Sequence, residues 1–166
     1  MISAGLDAAG TGRNAQMQAT TLIAWPARVG MLPAAAALII AAVPARADET
    51  VGVTLTDKGM QYMRMDLSTE QVKAGNVTFN VSNTSQTLVH EFVVVRADKP
   101  IEMLPYNEHE KEVEESALEV VNEIEDLEPG KSGTLTVKLE PGSYILLCNR
   151  MGHFKLGMVN HMTVTK

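Results

Sequence analysis

Near the end of the chain, a cysteine, a histidine and a methionine follow one another at equal spacing. Cys148 ends the apolar run 144–147, His153 follows after four intervening residues, and Met158 follows after four more. The run indicates a buried strand, His153 lies in a short loop, and Met158 begins the last strand. A thiolate, an imidazole and a thioether on one tight loop are soft and borderline donors, and such a set suits copper.

The loop provides only one imidazole, and His90 is well placed in the sequence to supply a second. It precedes the strongly β-prone run 91–95. Two histidines and a cysteine with a weak axial methionine form the ligand pattern of a blue-copper site. We therefore predict that His90, Cys148, His153 and Met158 bind one copper ion per chain.

The ligand loop resembles that of the cupredoxins, the family of small copper proteins that includes azurin, plastocyanin and rusticyanin. The spacing of Cys148, His153 and Met158 is most similar to the rusticyanin-type loop, and the segments 73–79 and 90–92 are similar to those of bacterial members. The resemblance covers roughly residues 50–166, apart from an insert at about 97–128.

The resemblance implies an all-β fold, a Greek-key β-sandwich of about seven to eight strands. It implies a type 1 copper site and an electron-transfer function. It also implies that His153 is the exposed ligand through which electrons reach a partner, with Met151, Phe154 and Leu156 as its apolar rim.

Each candidate ligand also has a purely structural interpretation. Cys148 and His90 could be satisfied core residues, and Met158 could simply fill a gap in the core. His153 could be a surface histidine, and Met151 is a competing thioether. Several other residues lie outside the ligand pattern: His109, His161, and the methionines Met60, Met63, Met65 and Met103, which are either core residues or a weak second Cu(I) site.

Glu91 departs from the family pattern. Azurins and plastocyanins have an asparagine directly after the first histidine ligand, and its side chain joins the two ligand loops. A carboxylate at this position would alter the hydrogen bonding near the thiolate of Cys148.

The first 47 residues resemble an export signal rather than part of the domain. The stretch 29–43 is apolar and uncharged, Arg28 precedes it, and the small-x-small sequence 45–47 follows. A membrane anchor is the alternative, but a run of about 15 residues is shorter than the roughly 20 needed to span a bilayer. We predict cleavage after Ala47, a periplasmic location and a single mature domain, 48–166, with no membrane span.

Charge and cysteine count narrow the function. Residues 48–166 keep 11 of the 14 Lys and Arg and 19 of the 20 Asp and Glu, a formal charge of −8. This negative charge excludes nucleic acid as a binding partner. It favours a basic redox partner, such as a c-type cytochrome, that docks near His153. A lone cysteine in an exported protein forms no internal disulfide, and metal ligation gives it a role.

Alternating apolar residues predict short strands throughout 51–164, with one exception. The segment 102–128 carries eleven acidic residues and one base, and its apolar residues recur at helical spacing. We predict one inserted amphipathic helix at about 109–126, packed on the sandwich. Its charge is either a solvated face or a docking patch for a basic partner.

Two functions are consistent with these features. The first is a monomeric electron carrier, and the second is a copper-tolerance protein that sequesters the metal. An enzyme such as a multicopper oxidase fits poorly, because one cysteine allows only one thiolate site. We therefore expect a protein that is not an enzyme.

Overall fold

A computed structural model describes residues 48–166. The predicted export signal, 1–47, lies outside the described residues. The described chain forms strands joined by turns and two short 3-10 helices, Ile101–Met103 and Glu115–Ala117. The strands are β1 (Glu49–Asp57), β2 (Met63–Leu67), β3 (Gln71–Lys73), β4 (Gly75–Asn83), β5 (His90–Arg96), β6 (Tyr106–Asn107), β7 (Glu112–Val113), β8 (Glu119–Leu127), β9 (Ser132–Leu139), β10 (Gly142–Leu147) and β11 (Val159–Thr165).

Nine of these strands form two sheets. The first sheet has the order β2-β1-β4-β9, and the second has the order β3-β11-β10-β5-β8. Most neighbours are antiparallel, but β1 runs parallel to β4 and β11 runs parallel to β3. The remaining pair, β6 and β7, forms a small separate ribbon. The predicted all-β sandwich is confirmed.

The core explains why the central strands of the second sheet are apolar on both faces. Along β5, Phe92 and Val94 pack into the cluster between the sheets, while Val93 and Val95 pack into a second cluster on the outer face. The excursion 97–118 covers that outer face with Leu104 and other apolar side chains. A strand that is covered on both sides reads as a continuous apolar run rather than an alternating one.

The predicted helix at 109–126, within the insert 102–128, is wrong. This part of the chain contains the ribbon β6–β7, a 3-10 turn and the nine-residue strand β8, and no described helix is longer than three residues. Two β-bulges explain why the spacing of the apolar residues suggested a helix. Opposite β5, strand β8 has one extra residue between Asn122 and Val120, and another between Leu127 and Ile124.

The two bulges change the side-chain period of β8 from two to three. As a result, Val121, Ile124 and Leu127 all pack against the inner core, while Val120 packs against the outer cluster. Apolar residues at positions i, i+1, i+4 and i+7 are also what an amphipathic helix requires. The spacing alone therefore could not distinguish a bulged edge strand from a helix.

No helix among residues 48–166 is both long and apolar enough to cross a membrane.

A buried asparagine fixes the segment that leads into β5. The Asn83 side chain donates to the carbonyl oxygens of Leu88 at 2.9 Å and Leu127 at 2.7 Å, and accepts from the Ser85 amide at 2.9 Å. The residue is 2% exposed. One side chain thus joins the end of β4, the loop before His90 and the end of β8.

We expect Asn83→Ala to lower the free energy of unfolding by about 2–4 kcal/mol, because it leaves buried backbone groups without partners. Urea denaturation of the metal-free protein measures the change. The control is Asn76→Ala, an exposed asparagine of the same strand, for which we expect a change within about 0.5 kcal/mol. Equal effects of the two substitutions would contradict this role for Asn83.

Candidate metal centre

Strand alternation brings His90 and Cys148 together. His90, Phe92 and Val94 are alternate residues of β5, and Phe92 and Val94 face the inner core. On the neighbouring antiparallel strand β10, inner-facing Leu146 pairs with Val94, and Cys148 lies two residues beyond it in the same core cluster. Since alternate residues share a face, His90 and Cys148 lie on the inner face at the same end of the sheet.

The turn 149–157 returns the chain to this end of the sheet. The amide of Met158 donates to the carbonyl of His153 at 3.1 Å, and the amide of Cys148 donates to the carbonyl of Met158 at 3.0 Å. The three loop residues predicted as ligands are therefore linked directly through the backbone. Gly157 has a φ of 104°, and a Cβ there would lie 2.9 Å from the Met63 carbonyl oxygen, so only glycine fits this close approach to β2.

Three donor atoms converge in the core. His90 Nδ1 lies 3.1 Å from His153 Nδ1, which lies 3.4 Å from Cys148 Sγ. All three residues are at most 5% exposed, and they form a group able to hold a metal ion. If an ion lay about 2.0 Å from each nitrogen and about 2.3 Å from the sulfur, the N–ion–N angle and the N–ion–S angle would each be about 100°. The donor set therefore fits one ion of the size and softness of copper.

Met158 is fully buried, and it belongs to the same inner cluster as Cys148. Its backbone position next to both loop donors is consistent with the predicted axial role, and its ligation stays a prediction. The competing thioether, Met151, is 60% exposed. His109 and His161 are both exposed, and neither belongs to the donor group of the described residues.

Burial sets the protonation of the donors. It raises the pKa of the Cys148 thiol to about 12 and lowers the pKa of His153 to about 4. Repulsion between the protonated forms of His153 and His90, and repulsion from Arg150, add to the lowering. Burial also lowers the pKa of His90. At neutral pH the metal-free site therefore holds a thiol and two neutral imidazoles, and a metal ion must displace the thiol proton.

Sequence reasoning missed Asp57, which lies at the end of β1. Its Oδ2 is 3.1 Å from His90 Nε2, and its Oδ1 accepts from the Gly59 amide at 2.8 Å. Burial alone would raise the pKa of Asp57, but hydrogen bonds from Ser85, Gly59 and His90 outweigh it and lower the pKa. The only sequence signal was an Asp-Lys-Gly turn, which predicts a bend but no partner in the other sheet.

Glu91 stands where the family has an asparagine, and its backbone and its side chain make different contacts. The backbone N–H of Glu91 donates to Cys148 Sγ at 3.2 Å. Its side chain lies instead with Glu115 and Glu123, with carboxylate oxygens within 4.8 Å of one another. Burial, together with these two carboxylates, raises the pKa of Glu91 to about 7.

The ligand loop is joined to a neighbouring segment by Asn149, a residue that the sequence reasoning also missed. Its side chain accepts from the Val113 amide at 2.7 Å and donates to the Val113 carbonyl at 3.0 Å. It also donates to Glu115 Oε1 at 2.7 Å. The residue directly after the cysteine thus links the ligand loop to β7, within the predicted insert.

The predicted surroundings of His153 need correction. His153 is only 5% exposed, and Phe154 is 6% exposed and stacks on Tyr106 in the outer cluster. Phe154 is therefore not part of an exposed rim, because its ring closes the core beneath the excursion 97–118. Exposed Met151 and partly buried Leu156 remain at the surface, and Met60, 53% exposed, lies beside them.

Comparison with known proteins supports the fold. No family model matches the sequence, and no curated protein matches it. Solved structures do match. Auracyanin from Roseiflexus castenholzii is 19% identical, with 74% of this chain and 100% of that chain covered and a TM-score of 0.53. Rusticyanin from Thiobacillus ferrooxidans is 16% identical, with 71% and 77% covered and a TM-score of 0.55.

A third match is auracyanin A from Chloroflexus aurantiacus, described as a blue copper protein. It is 15% identical, with 72% of this chain and 100% of that chain covered and a TM-score of 0.52. Taken with the sheet order and the buried donor group, these likenesses show that the fold of this chain is the cupredoxin fold, as the resemblance implied.

The stability of the metal-free protein should fall above pH 9. The folded protein raises the pKa of Cys148 from about 9 to about 12, so in this range it binds more protons than the unfolded chain. The free energy of unfolding therefore decreases by about 1.4 kcal/mol per pH unit between these values. Urea denaturation between pH 8 and pH 11 measures the slope.

Cys148→Ser is the control, because serine does not titrate in this range. We expect the slope of the variant to be shallower than that of the wild type. Parallel slopes would show that Cys148 does not have a raised pKa in the folded protein.

Proposed function

We propose that this chain is a periplasmic type 1 copper protein that passes single electrons between redox partners and binds one copper ion. His90, Cys148 and His153 would hold the metal, with Met158 as the axial ligand. The observation that carries the proposal is the convergence of His90 Nδ1, His153 Nδ1 and Cys148 Sγ in a closed core. The cupredoxin fold, shared with auracyanin and rusticyanin, supports it.

The surrounding residues suit rapid electron transfer. Copper, when bound, would supply a one-electron couple, and a trigonal donor set serves both of its oxidation states with little rearrangement. The Glu91 amide donates to the Cys148 sulfur, which stabilises a thiolate there. His90 extends from β5, while the other ligands come from one hydrogen-bonded loop, so the donor positions are set by the packed sandwich before an ion arrives.

A copper-tolerance protein is the alternative function. Such a protein would need accessible donors that take up and release several ions. Met63 and Met65 are 1% and 2% exposed and belong to the core, so they are not part of a surface site. Met60 and Met103 are exposed, but the three convergent donors are enclosed. Enclosure favours the electron carrier, which keeps one ion and cycles its charge.

Titration with Cu(II) tests the proposed site. We expect an intense thiolate-to-copper band in the visible spectrum that saturates at one copper per chain and bleaches on reduction. Cys148→Ser should abolish the band, because the serine hydroxyl cannot replace the thiolate. Met103→Ser, which changes an exposed sulfur of the 3-10 helix, is the control and should leave the spectrum unchanged.

Two other outcomes would contradict the electron-carrier function. Oxidation of Cys148 without a stable band would exclude a type 1 site. Saturation at two or more copper ions, with weak binding, would favour copper sequestration.

We further propose that a basic redox protein, such as a c-type cytochrome, docks on the surface above His153. Exposed Met60 and Met151 lie beside Leu156 at this surface. These apolar side chains let two proteins approach closely. Glu108, Lys111 and Lys155 also line this surface, so the formal charge of −8 of residues 48–166 as a whole would steer a cationic partner toward the chain. We propose that the carrier acts as a monomer.

We expect Met151→Lys to slow electron exchange with a basic cytochrome c about tenfold, because a positive charge would face the cationic partner. The visible spectrum of the copper protein should not change. Stopped-flow mixing of reduced copper protein with oxidised cytochrome measures the rate. Met103→Lys places the same charge on another exposed methionine, 70% exposed in the wild type, and equal rate losses in both variants would argue against docking at Met151.

A further inference from the structure

We propose that Asp57 is a positioning residue for the copper ligand His90, an inference that rests on the proposed function. His90 is fully buried, and its Nε2 faces Asp57 Oδ2 at 3.1 Å, with the carboxylate side chain only 5% exposed. When the Asp57 carboxylate accepts a hydrogen bond from Nε2–H of His90, the lone pair of the imidazole lies on Nδ1. Nδ1 is the atom that faces Cys148 and His153. A carboxylate that binds the outer nitrogen of a ligating imidazole fixes its tautomer and ring orientation.

Asp57 is itself held in place. Its second oxygen accepts from the Gly59 amide at 2.8 Å, across a tight turn in which Gly59 has a φ of 60°. The turn is closed by the Lys58 amide, which donates to the Tyr62 carbonyl at 2.9 Å. The carboxylate is thus held by the backbone that leads from β1 to β2, and it also accepts a hydrogen bond from the Ser85 side chain.

The bond between Asp57 and His90 connects the two sheets. Asp57 ends β1 in the first sheet, and His90 begins β5 in the second. The hydrogen bond spans the sandwich at the end where the donors converge. It therefore holds His90 in register with a loop that packs on the first sheet, since the Met63 amide of β2 donates to the Leu156 carbonyl at 3.3 Å.

Two substitutions separate the roles of the carboxylate. Asp57→Ala removes both the acceptor and the negative charge. Asp57→Asn keeps an acceptor oxygen for Nε2 but removes the charge. A buried negative charge next to a copper ligand stabilises the more positive, oxidised state, so each substitution should raise the reduction potential, whereas only Asp57→Ala should release the imidazole tautomer.

The experiment has two readouts, one of which needs no copper. In the metal-free protein, 15N chemical shifts of the His90 ring report which nitrogen carries the proton. We expect Nε2–H in the wild type and in Asp57→Asn, and a mixture of tautomers in Asp57→Ala. In the copper-loaded protein, we expect Asp57→Ala to lose 10–100-fold in Cu(II) affinity and both variants to shift the reduction potential upward. Asp66→Ala, an exposed aspartate of β2, is the matched control and should change neither.

The outcomes separate this inference from the proposed function. Wild-type tautomer and affinity in Asp57→Ala would overturn the positioning role, even if the copper band is normal. If Asp57→Ala does not fold, ring shifts that place the proton on Nδ1 of His90 in the wild-type protein would overturn the role. A wild-type protein with no type 1 band would instead contradict the proposed function, and the ring shifts of the metal-free protein would still show whether Asp57 sets the tautomer of His90.

Discussion

The close approach of three neutral donors in a closed core is the constraint on which the rest of this structure depends. Two imidazole nitrogens 3.1 Å apart and a sulfur 3.4 Å from one of them have lone pairs that converge on a small volume. The packing around them holds these atoms close together, and a proton or a metal ion between neighbouring donors removes the repulsion between their lone pairs. The two sheets, the loop 148–158 and the Asp57–His90 bond together provide that support.

Much of this arrangement could be predicted from the sequence, because local rules determine it. The alternation within β5 and β10 places His90 and Cys148 on one face, and the spacing from Cys148 to Met158 gives a loop short enough to return to the strand end. The donor types by themselves indicate copper. What local rules do not give is which strands become neighbours, and Asp57 shows this limit, since its partner His90 lies in the other sheet.

The helix prediction failed for a different physical reason. Strand β8 is an edge strand, and its two bulges place Val121, Ile124 and Leu127 on one face at intervals of three residues. Edge strands tolerate such insertions because only one side is paired, and high acidic content on the open side also discourages pairing with another chain. The acidic residues of this segment suggest the solvated face of a helix. They are explained equally well as the exposed residues of an edge strand.

The same edge strand brings carboxylates close to the donor group. Glu123 of β8 lies with Glu91 and Glu115, and burial together with their mutual repulsion raises the pKa of Glu91 to about 7. In azurins and plastocyanins, the residue at this position joins the ligand loops through its side chain. Here Asn149 instead joins the ligand loop to β7, because it binds Val113 through both its amide oxygen and its amide nitrogen. Because the loop is joined elsewhere, the side chain of Glu91 is not needed to hold the cysteine, and its backbone N–H makes the contact with the sulfur.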